Sequence, residues 1–371
     1  MKLSTFFIAV LLVVLTAVNS TELHACTSWM VFSDLTRSNT NILHKNRDSR
    51  ARNIRVLLSP ADAPRKWIAI GGTHTNSGIN TSGLAGAMNS GEKCLNPPNV
   101  KGKKGTPAML QEILSSCDTA AMAVKKLKEF IKAGDYSHGE NGSIFFFLDT
   151  REGYICEMTA KDVSVQRCDH GYALRANVWH NPDMYQYSKT GFYSYMNTSA
   201  RAYSAMSGLN KIIAEKGKIT PLEIFTLSRH YAMPKESPYK NSVCRKETNS
   251  TSTIEVDKQY PDVLSSMYVT IGHPRHTVYI PVPVCTEKVL ITMDNFKWAE
   301  NAFKRFDKLK LEAPMPKEWI DFELKSNAQY AKAKEDARKL LKAGKRAEAV
   351  KLLNTTAEKI WIEAEKLLNI Q

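Results

Sequence analysis

Apolar and polar positions alternate along most of this chain in short, strand-like runs, broken twice by helix-like stretches. Residues 27–34 and 41–45 read as two strands of a hairpin around a polar turn through Thr36 and Asn39. A strand at 67–70 leads into a Gly- and Asn-rich stretch, 71–91. Residues 93–106 hold two prolines, two glycines and four lysines, the composition of a loop. Pro107 suits a helix start, and Asp118 is placed to cap a second helix bearing Val124, Leu127 and Ile131. Strand patterns return at 143–148, 154–158, 163–168 and 172–176. Helical patterns follow at 199–215 and 221–230, then strands at 265–271 and 277–282. Strands in two blocks separated by helical pairs predict an α+β fold in which helices cover sheets.

The two ends differ from the middle. From about residue 325 to 370, Ala, Lys, Glu and Leu dominate, and Gly344 separates two helical runs. Val350, Leu353, Ala357, Ile360, Ala364 and Leu367 recur three and four apart, one apolar stripe of a hairpin packed on the body, or of a partner-binding arm. At the other end, Lys2, an apolar run from Phe6 to Val18 and then small and polar residues form the three-part pattern of an export signal. The run is short for a membrane span, and no later segment reaches about 18 apolar residues, so no transmembrane span is expected. The expected location is secreted or periplasmic.

Charge and cysteine content refine this picture. The formal net charge is +14. It fits attraction to acidic substrates or surfaces, or a lysine-rich solvated exterior; no nucleic-acid motif accompanies it, and no nucleic-acid partner is expected. Seven cysteines in an exported chain invite disulfides with one thiol left over. Cys26 is the natural remainder, and Cys156–Cys168, Cys94–Cys117 and Cys244–Cys285 are the pairings considered, although six cysteines allow 15 connectivities.

Cys26 stands just beyond the signal, in His24-Ala25-Cys26-Thr27-Ser28-Trp29, at the start of a strand. If processing ends at Ala25, the residue carries both a thiol and a free α-amine, which can serve as the base for its own nucleophile. Two alternatives stay open: an ordinary buried or bridged cysteine, and a lipidated one, since Leu23-His24-Ala25-Cys26 faintly resembles a lipobox.

Further elements follow in order: Lys45-Asn46-Arg47-Asp48, then Gly78-Ile79-Asn80-Thr81-Ser82-Gly83-Leu84 with Ala87-Met88-Asn89, then Arg175-Ala176-Asn177-Val178-Trp179-His180. Together with Cys26-Thr27 these resemble the N-terminal-nucleophile superfamily that includes acyl-CoA:6-aminopenicillanic acid acyltransferase-like proteins, choloylglycine hydrolases and acid ceramidase-like amidases. The resemblance spans residues 26 to about 284. It departs from the choloylglycine pattern where Lys45 replaces an arginine and Ala176 a threonine, which disfavours a bile-salt substrate.

The resemblance implies a four-layer αββα sandwich with Cys26 at the end of a central strand. It implies a linear-amide hydrolase or acyltransferase working through a thioester on Cys26, acting on a small-molecule amide or acyl substrate. The expected roles are Asp48 as acceptor for the α-ammonium and Lys45 as the cation favouring thiolate. Arg47 is expected on the opposite face of the strand from Lys45. Asn177 and Asn89 are the expected oxyanion donors, and Arg245 a basic residue near the nucleophile. No cofactor and no metal is implied. His273-Pro274-Arg275-His276 reads as loop histidines, because proline interrupts helical spacing and no third ligand is placed. The expected organisation is a signal and short pro-segment at 1–25, a hydrolase domain at 26–300 and a helical extension at 301–371. A dipeptidase-like member of the same superfamily, or a non-catalytic surface lipoprotein, is the alternative function.

Overall fold

A computed structural model describes residues 26–98, 102–231 and 242–370. The expected export signal, 1–25, lies outside the described residues.

The chain opens with six strands: β1 (Thr27–Val31), β2 (Asn41–Asp48), β3 (Arg55–Leu58), β4 (Trp67–Gly71), β5 (Thr75–Asn80) and β6 (Ala85–Lys93). Helices α1 (Thr106–Ser116) and α2 (Ala120–Ala133) precede strands β7 (Asn141–Leu148), β8 (Gly153–Met158), β9 (Val163–Cys168) and β10 (Tyr172–Arg175). Helices α3 (Phe192–Lys216) and α4 (Pro221–Ser228) lead to β11 (Thr248–Val256), β12 (Ser266–Ile271) and β13 (Ile280–Pro283). Helices α5 (Lys297–Leu309), α6 (Lys317–Lys342) and α7 (Arg346–Leu367) complete the chain, apart from a few single helical turns.

The strands form two antiparallel sheets, one in the order β10-β1-β2-β11-β12-β13 and the other running β3 to β9 in sequence. Side chains alternate along each strand, so each sheet has two faces to bury. Met30, Leu43 and Ile254 of the first sheet meet Ile68, Ile70, Ile79, Ala87, Ile144 and Phe146 of the second in the inner core. The intervening residues Trp67, Ala69, Met88, Phe145 and Phe147 face α1 and α2. Trp29, Val31 and Ile42 of the first sheet face α3 and α4 through Ala202, Ala205, Leu209 and Ile224. Each sheet thus has covered residues on both faces, and the fold is a four-layer αββα sandwich.

Local signals account for several boundaries. Helix α2 is capped not by the expected Asp118 but by Thr119, whose hydroxyl accepts the Met122 N–H at 3.2 Å. Asp118 is engaged elsewhere, with Arg65 and Ser82. Asn80 makes the β5–β6 turn: its Oδ1 accepts the N–H groups of Ser82 and Leu84, and its amide donates to the carbonyls of Leu114 and Cys117. Gly83 completes that turn at φ +84°, where a Cβ would fall 2.6 Å from the Pro261 Cβ.

The expected C-terminal hairpin is formed by α6 and α7, with Gly344 at φ +76° between them. It packs on β13, at the edge of the first sheet. Leu353, Ala357, Ile360 and Ala364 are fully buried. The buried pair Arg229–Glu323, at 2.6 Å, and the Trp361 indole N–H bond to the Pro281 carbonyl, at 2.7 Å, fasten it to the body. A boundary at residue 300 would fall inside α5.

The expected disulfides are absent, and all seven cysteines are free thiols. Cys168 pairs in register with Gly153 and Cys156 with Val165, which leaves the two sulfurs several residues apart along the ladder. Cys94 lies in the inner core while Cys117 lies in the core beneath α1 and α2. Cys244 sits 4.0 Å from His273 Nε2, whereas Cys285 contacts the Val263 carbonyl.

Candidate functional site

Strand β1 begins directly after Cys26, whose side chain is 5% exposed. Cys26 shares the alternation of Ser28 and Met30, so its thiol faces the space between the sheets. Pairing of Thr27 with Asn46 and Ser28 with Lys45 sets Lys45 on that same face. The Lys45 ammonium interacts with the Cys26 side chain by charge and by hydrogen bond. Burial drives the Lys45 pKa below the usual lysine value, and the attraction of Cys26 opposes the fall.

Across the inter-sheet space, Asn89 on β6 meets these groups. Its Oδ1 accepts from Lys45 Nζ and from Ser28 Oγ, both at 2.8 Å, and Lys45 Nζ also donates to the Met88 carbonyl at 2.5 Å. The Asn89 amide donates to the Ala176 carbonyl at 3.2 Å. Asn177 follows in the same segment, its amide donating to the Ser90 carbonyl at 2.7 Å and its Oδ1 accepting from Arg201 at 2.9 Å.

Asp48, three residues beyond Lys45, lies on the other face of β2, towards α3. Its Oδ1 accepts from the Thr248 hydroxyl at 2.6 Å, while its Oδ2 is buried with no hydrogen bond. Burial raises its pKa to about 6 against the pull of Arg245, Arg201 and Thr248. Arg201 Nη1 donates to the Cys26 carbonyl and to Thr27 Oγ1, each at 3.0 Å, and stands 3.9 Å from Asp48 Oδ2. Arg201 thus bridges this carboxylate oxygen to the main chain of Cys26, just before β1. Burial, then repulsion by Arg245, lowers the Arg201 pKa to about 10.

The six residues expected at the site lie around the start of β1; the Arg245 main-chain N–H donates at 2.8 Å to Thr248 Oγ1, whose hydroxyl donates to Asp48, and the Arg245 side chain stands 3.8 Å from Glu247. The expectation for Arg47 is corrected: residues two apart on a strand share a face, so Arg47 lies on the same side as Lys45 and Cys26. Its Nη1 is buried and has no hydrogen-bond partner.

Sequence reasoning missed four contributors. Arg201, in the middle of α3, has no motif around it. Thr248 was passed over with the polar run containing it. Glu92 and Glu157 hold the Asn177 segment from below: Glu92 accepts the Trp179 N–H at 3.0 Å, and Glu157 accepts those of His180 and Asn181 at 2.9 and 3.0 Å. Glu157 also takes the Arg175 guanidinium at 2.7 Å.

His44, His273 and His276 make packing and main-chain contacts. His44, on β2, stacks on Trp29 at 4.0 Å on the outer face, bonds Thr253 and Asn46, and is held neutral by burial, its pKa lowered to about 3. His273 and His276 each bond a main-chain carbonyl, of Arg245 and Lys310. Among the described residues no helix is long and apolar enough to cross a membrane.

No family model and no curated protein matches the chain. Solved structures similar to it include two variants of conjugated bile acid hydrolase from Clostridium perfringens, with TM-scores of 0.48 and 0.46 and 12% identity each. Both matches cover 71% of this chain and 95% of the other. Penicillin V acylase from Agrobacterium tumefaciens aligns with a TM-score of 0.44 and 13% identity, over 70% of this chain and 86% of its own.

Proposed function

We propose that this chain is a cysteine hydrolase of linear amides of the N-terminal-nucleophile type, exported and made active when the segment before Cys26 is cut away. The observation that carries this reading is Asp48 Oδ2, a buried carboxylate oxygen without a hydrogen bond that Arg201 bridges to the Cys26 carbonyl, with 3.9 Å on one side and 3.0 Å on the other. Cleavage between Ala25 and Cys26 turns a peptide nitrogen into an ammonium, a charged hydrogen-bond donor of the kind that oxygen lacks. A buried carboxylate oxygen without a hydrogen bond is costly even with Arg201 at 3.9 Å, so its retention here fits a donor that arrives with processing.

The chemistry follows from the placements. The Cys26 sulfur, beside the Lys45 ammonium, attacks the amide carbonyl as thiolate, and its proton goes to the α-amine. Oxyanion charge is met by the side-chain amides of Asn177, which has a second N–H beyond the one the Ser90 carbonyl occupies, and of Asn89, whose contact with the Arg175 carbonyl is long at 3.5 Å and is given up to the oxyanion. The C–N bond breaks, the ammonium returns its proton to the leaving amine, and an acyl thioester stays on sulfur. Water, deprotonated by the α-amine, then releases the carboxylic acid; an amine in its place gives acyl transfer. Burial of the Cys26 side chain between the sheets argues against the lipidated alternative.

The test is intact-mass analysis of the exported protein, followed by a panel of N-acyl amino acids, β-lactams, bile-salt conjugates and dipeptides. A chain beginning at Cys26, an acyl adduct on that residue and loss of turnover in Cys26→Ala are expected. A mature chain retaining residues before 26, or turnover undiminished in Cys26→Ala, overturns the proposal.

A further inference from the structure

Positive charge is in excess at this site. Lys45, Arg47, Arg201 and Arg245 stand around Cys26 and Asp48, and the carboxylates set against them are Asp48 and Glu247. Three of the four cations have acceptors. Lys45 donates to Met88 and Asn89, Arg201 to Cys26, Thr27 and Asn177, and Arg245 has Glu247 at 3.8 Å. Arg47 differs, because its buried Nη1 has no acceptor.

A guanidinium cannot shed its proton to escape this cost, so an unpaired buried N–H of Arg47 calls for an anion from outside the chain. The Cys26 thiolate does not fill the role through turnover, since its charge disappears on acylation and Lys45 already attends it. The ladder's last pair is Thr27 with Asn46, and continuing it one step beyond β1 brings Cys26 opposite Arg47, on which the charge of Cys26 acts. Cα atoms so paired lie about 4.5–5.5 Å apart, and both side chains point into the inter-sheet space. An anion held by Arg47 would therefore sit within a few bonds of the carbonyl carbon that the sulfur attacks. The α-carboxylate of an amino-acid amine half lies there, three bonds from that carbon. The planar fork of arginine matches a carboxylate in two parallel hydrogen bonds.

We propose that Arg47 is the specificity-determining residue of the site, binding a carboxylate that the substrate carries beside its scissile amide, as an N-acyl amino acid does. This rests on the reading of Cys26 as nucleophile.

The experiment compares, on the mature protein, an N-acyl amino acid with its carboxamide, and the monoamide of a dicarboxylic acid with its methyl ester, so that the half bearing the charge is identified. Wild type, Arg47→Met and Arg47→Lys are assayed after circular dichroism confirms folding. The wild-type preference for the charged member of one pair should be about 10- to 100-fold in kcat/KM, the scale of a charged hydrogen bond. Arg47→Met should abolish that preference through KM and leave the neutral member within about threefold, with partial recovery in Arg47→Lys. Equal losses on charged and neutral substrates, with a shifted pH profile for thiol alkylation, would make Arg47 a partner of the thiolate and overturn the proposal. Wild-type indifference to the carboxylate overturns it without reference to any variant and leaves the nucleophile reading intact. Hydrolysis of none of the four by a chain that begins at Cys26 overturns both.

Discussion

Moving the start of the chain by a few residues should change how its stability responds to pH, and Asp48 sets the size of the change. With the Cys26 nitrogen still in a peptide bond, burial holds the Asp48 carboxyl at about 6, against 3.8 for the unperturbed group. The folded state then binds this proton more tightly than the unfolded chain does, so stability falls as pH rises from 3.8 through 6, and the penalty is complete above that window. The shift corresponds to about 3 kcal/mol at neutral pH. A free α-ammonium beside Oδ2 favours the carboxylate, lowers the pKa and shrinks or reverses the penalty. Four proteins test this: a form beginning at residue 26 and one retaining a few earlier residues, each with Asp48 and with Asp48→Asn. All carry Cys26→Ala so that none can process itself. Urea unfolding between pH 4 and 7.5 gives the contribution of Asp48 in each form by difference. In the extended form Asp48→Asn should gain up to about 3 kcal/mol on its parent across this range; in the form beginning at residue 26 the gain should vanish or become a loss. The same course in both forms would refute the pairing of Asp48 with the chain terminus.

Other outcomes follow from single contacts. Asn89→Ala and Asn177→Ala should each lower kcat by about 10²–10³ with a smaller effect on KM, measured by steady-state kinetics on whichever amide the panel selects. Arg201→Ala leaves the Cys26 carbonyl, Thr27 Oγ1 and Asn177 Oδ1 without a donor, and should cost about 3–5 kcal/mol in urea unfolding. Arg201→Lys should recover part of this, since an ammonium cannot span those acceptors as the guanidinium does. Glu323→Ala strands the buried Arg229, and should lower stability by about 3–5 kcal/mol at the joint between body and hairpin.

Where hydrophobic pattern decides structure, the sequence was readable. The run Ile144–Leu148 is apolar throughout because inner residues meet the facing sheet and outer ones meet α1 and α2, so both sides of the strand are dry. The stripe from Leu353 to Ala364 predicted α7 because its period matches a helix with one face on a body. Strand β11 escaped notice because Thr248 to Thr253 is all Thr, Ser and Asn, although every residue of it is buried between β2 and β12. Its hydroxyls are satisfied by tertiary partners such as Ser77 with Ser252 at 2.6 Å and Thr251 with Tyr279 at 2.6 Å, which no local pattern reveals. Arg201 was invisible for the same reason, since its acceptors lie far away in sequence, at residues 26, 27 and 177.

The spacing within Lys45-Asn46-Arg47-Asp48 carries more information than the residue types. On a strand, a separation of three puts Lys45 and Asp48 on opposite faces, so they cannot collapse into an ion pair that would cancel both. The cation is turned inward, to the sulfur and to Asn89, and the carboxylate outward, to Thr248 and Arg201. Cys26 has its thiol on the first side, and Arg201 ties its main chain to the second, so under the proposed function the sulfur and the nitrogen are addressed by separate charges. A separation of two gives Arg47 the inward face as well, where it adds a second cation to the side that carries the Cys26 sulfur. Under the proposed function, thiolate formation, amine anchoring and substrate charge are therefore roles that substitutions at Lys45, Asp48 and Arg47 test one at a time on a single strand.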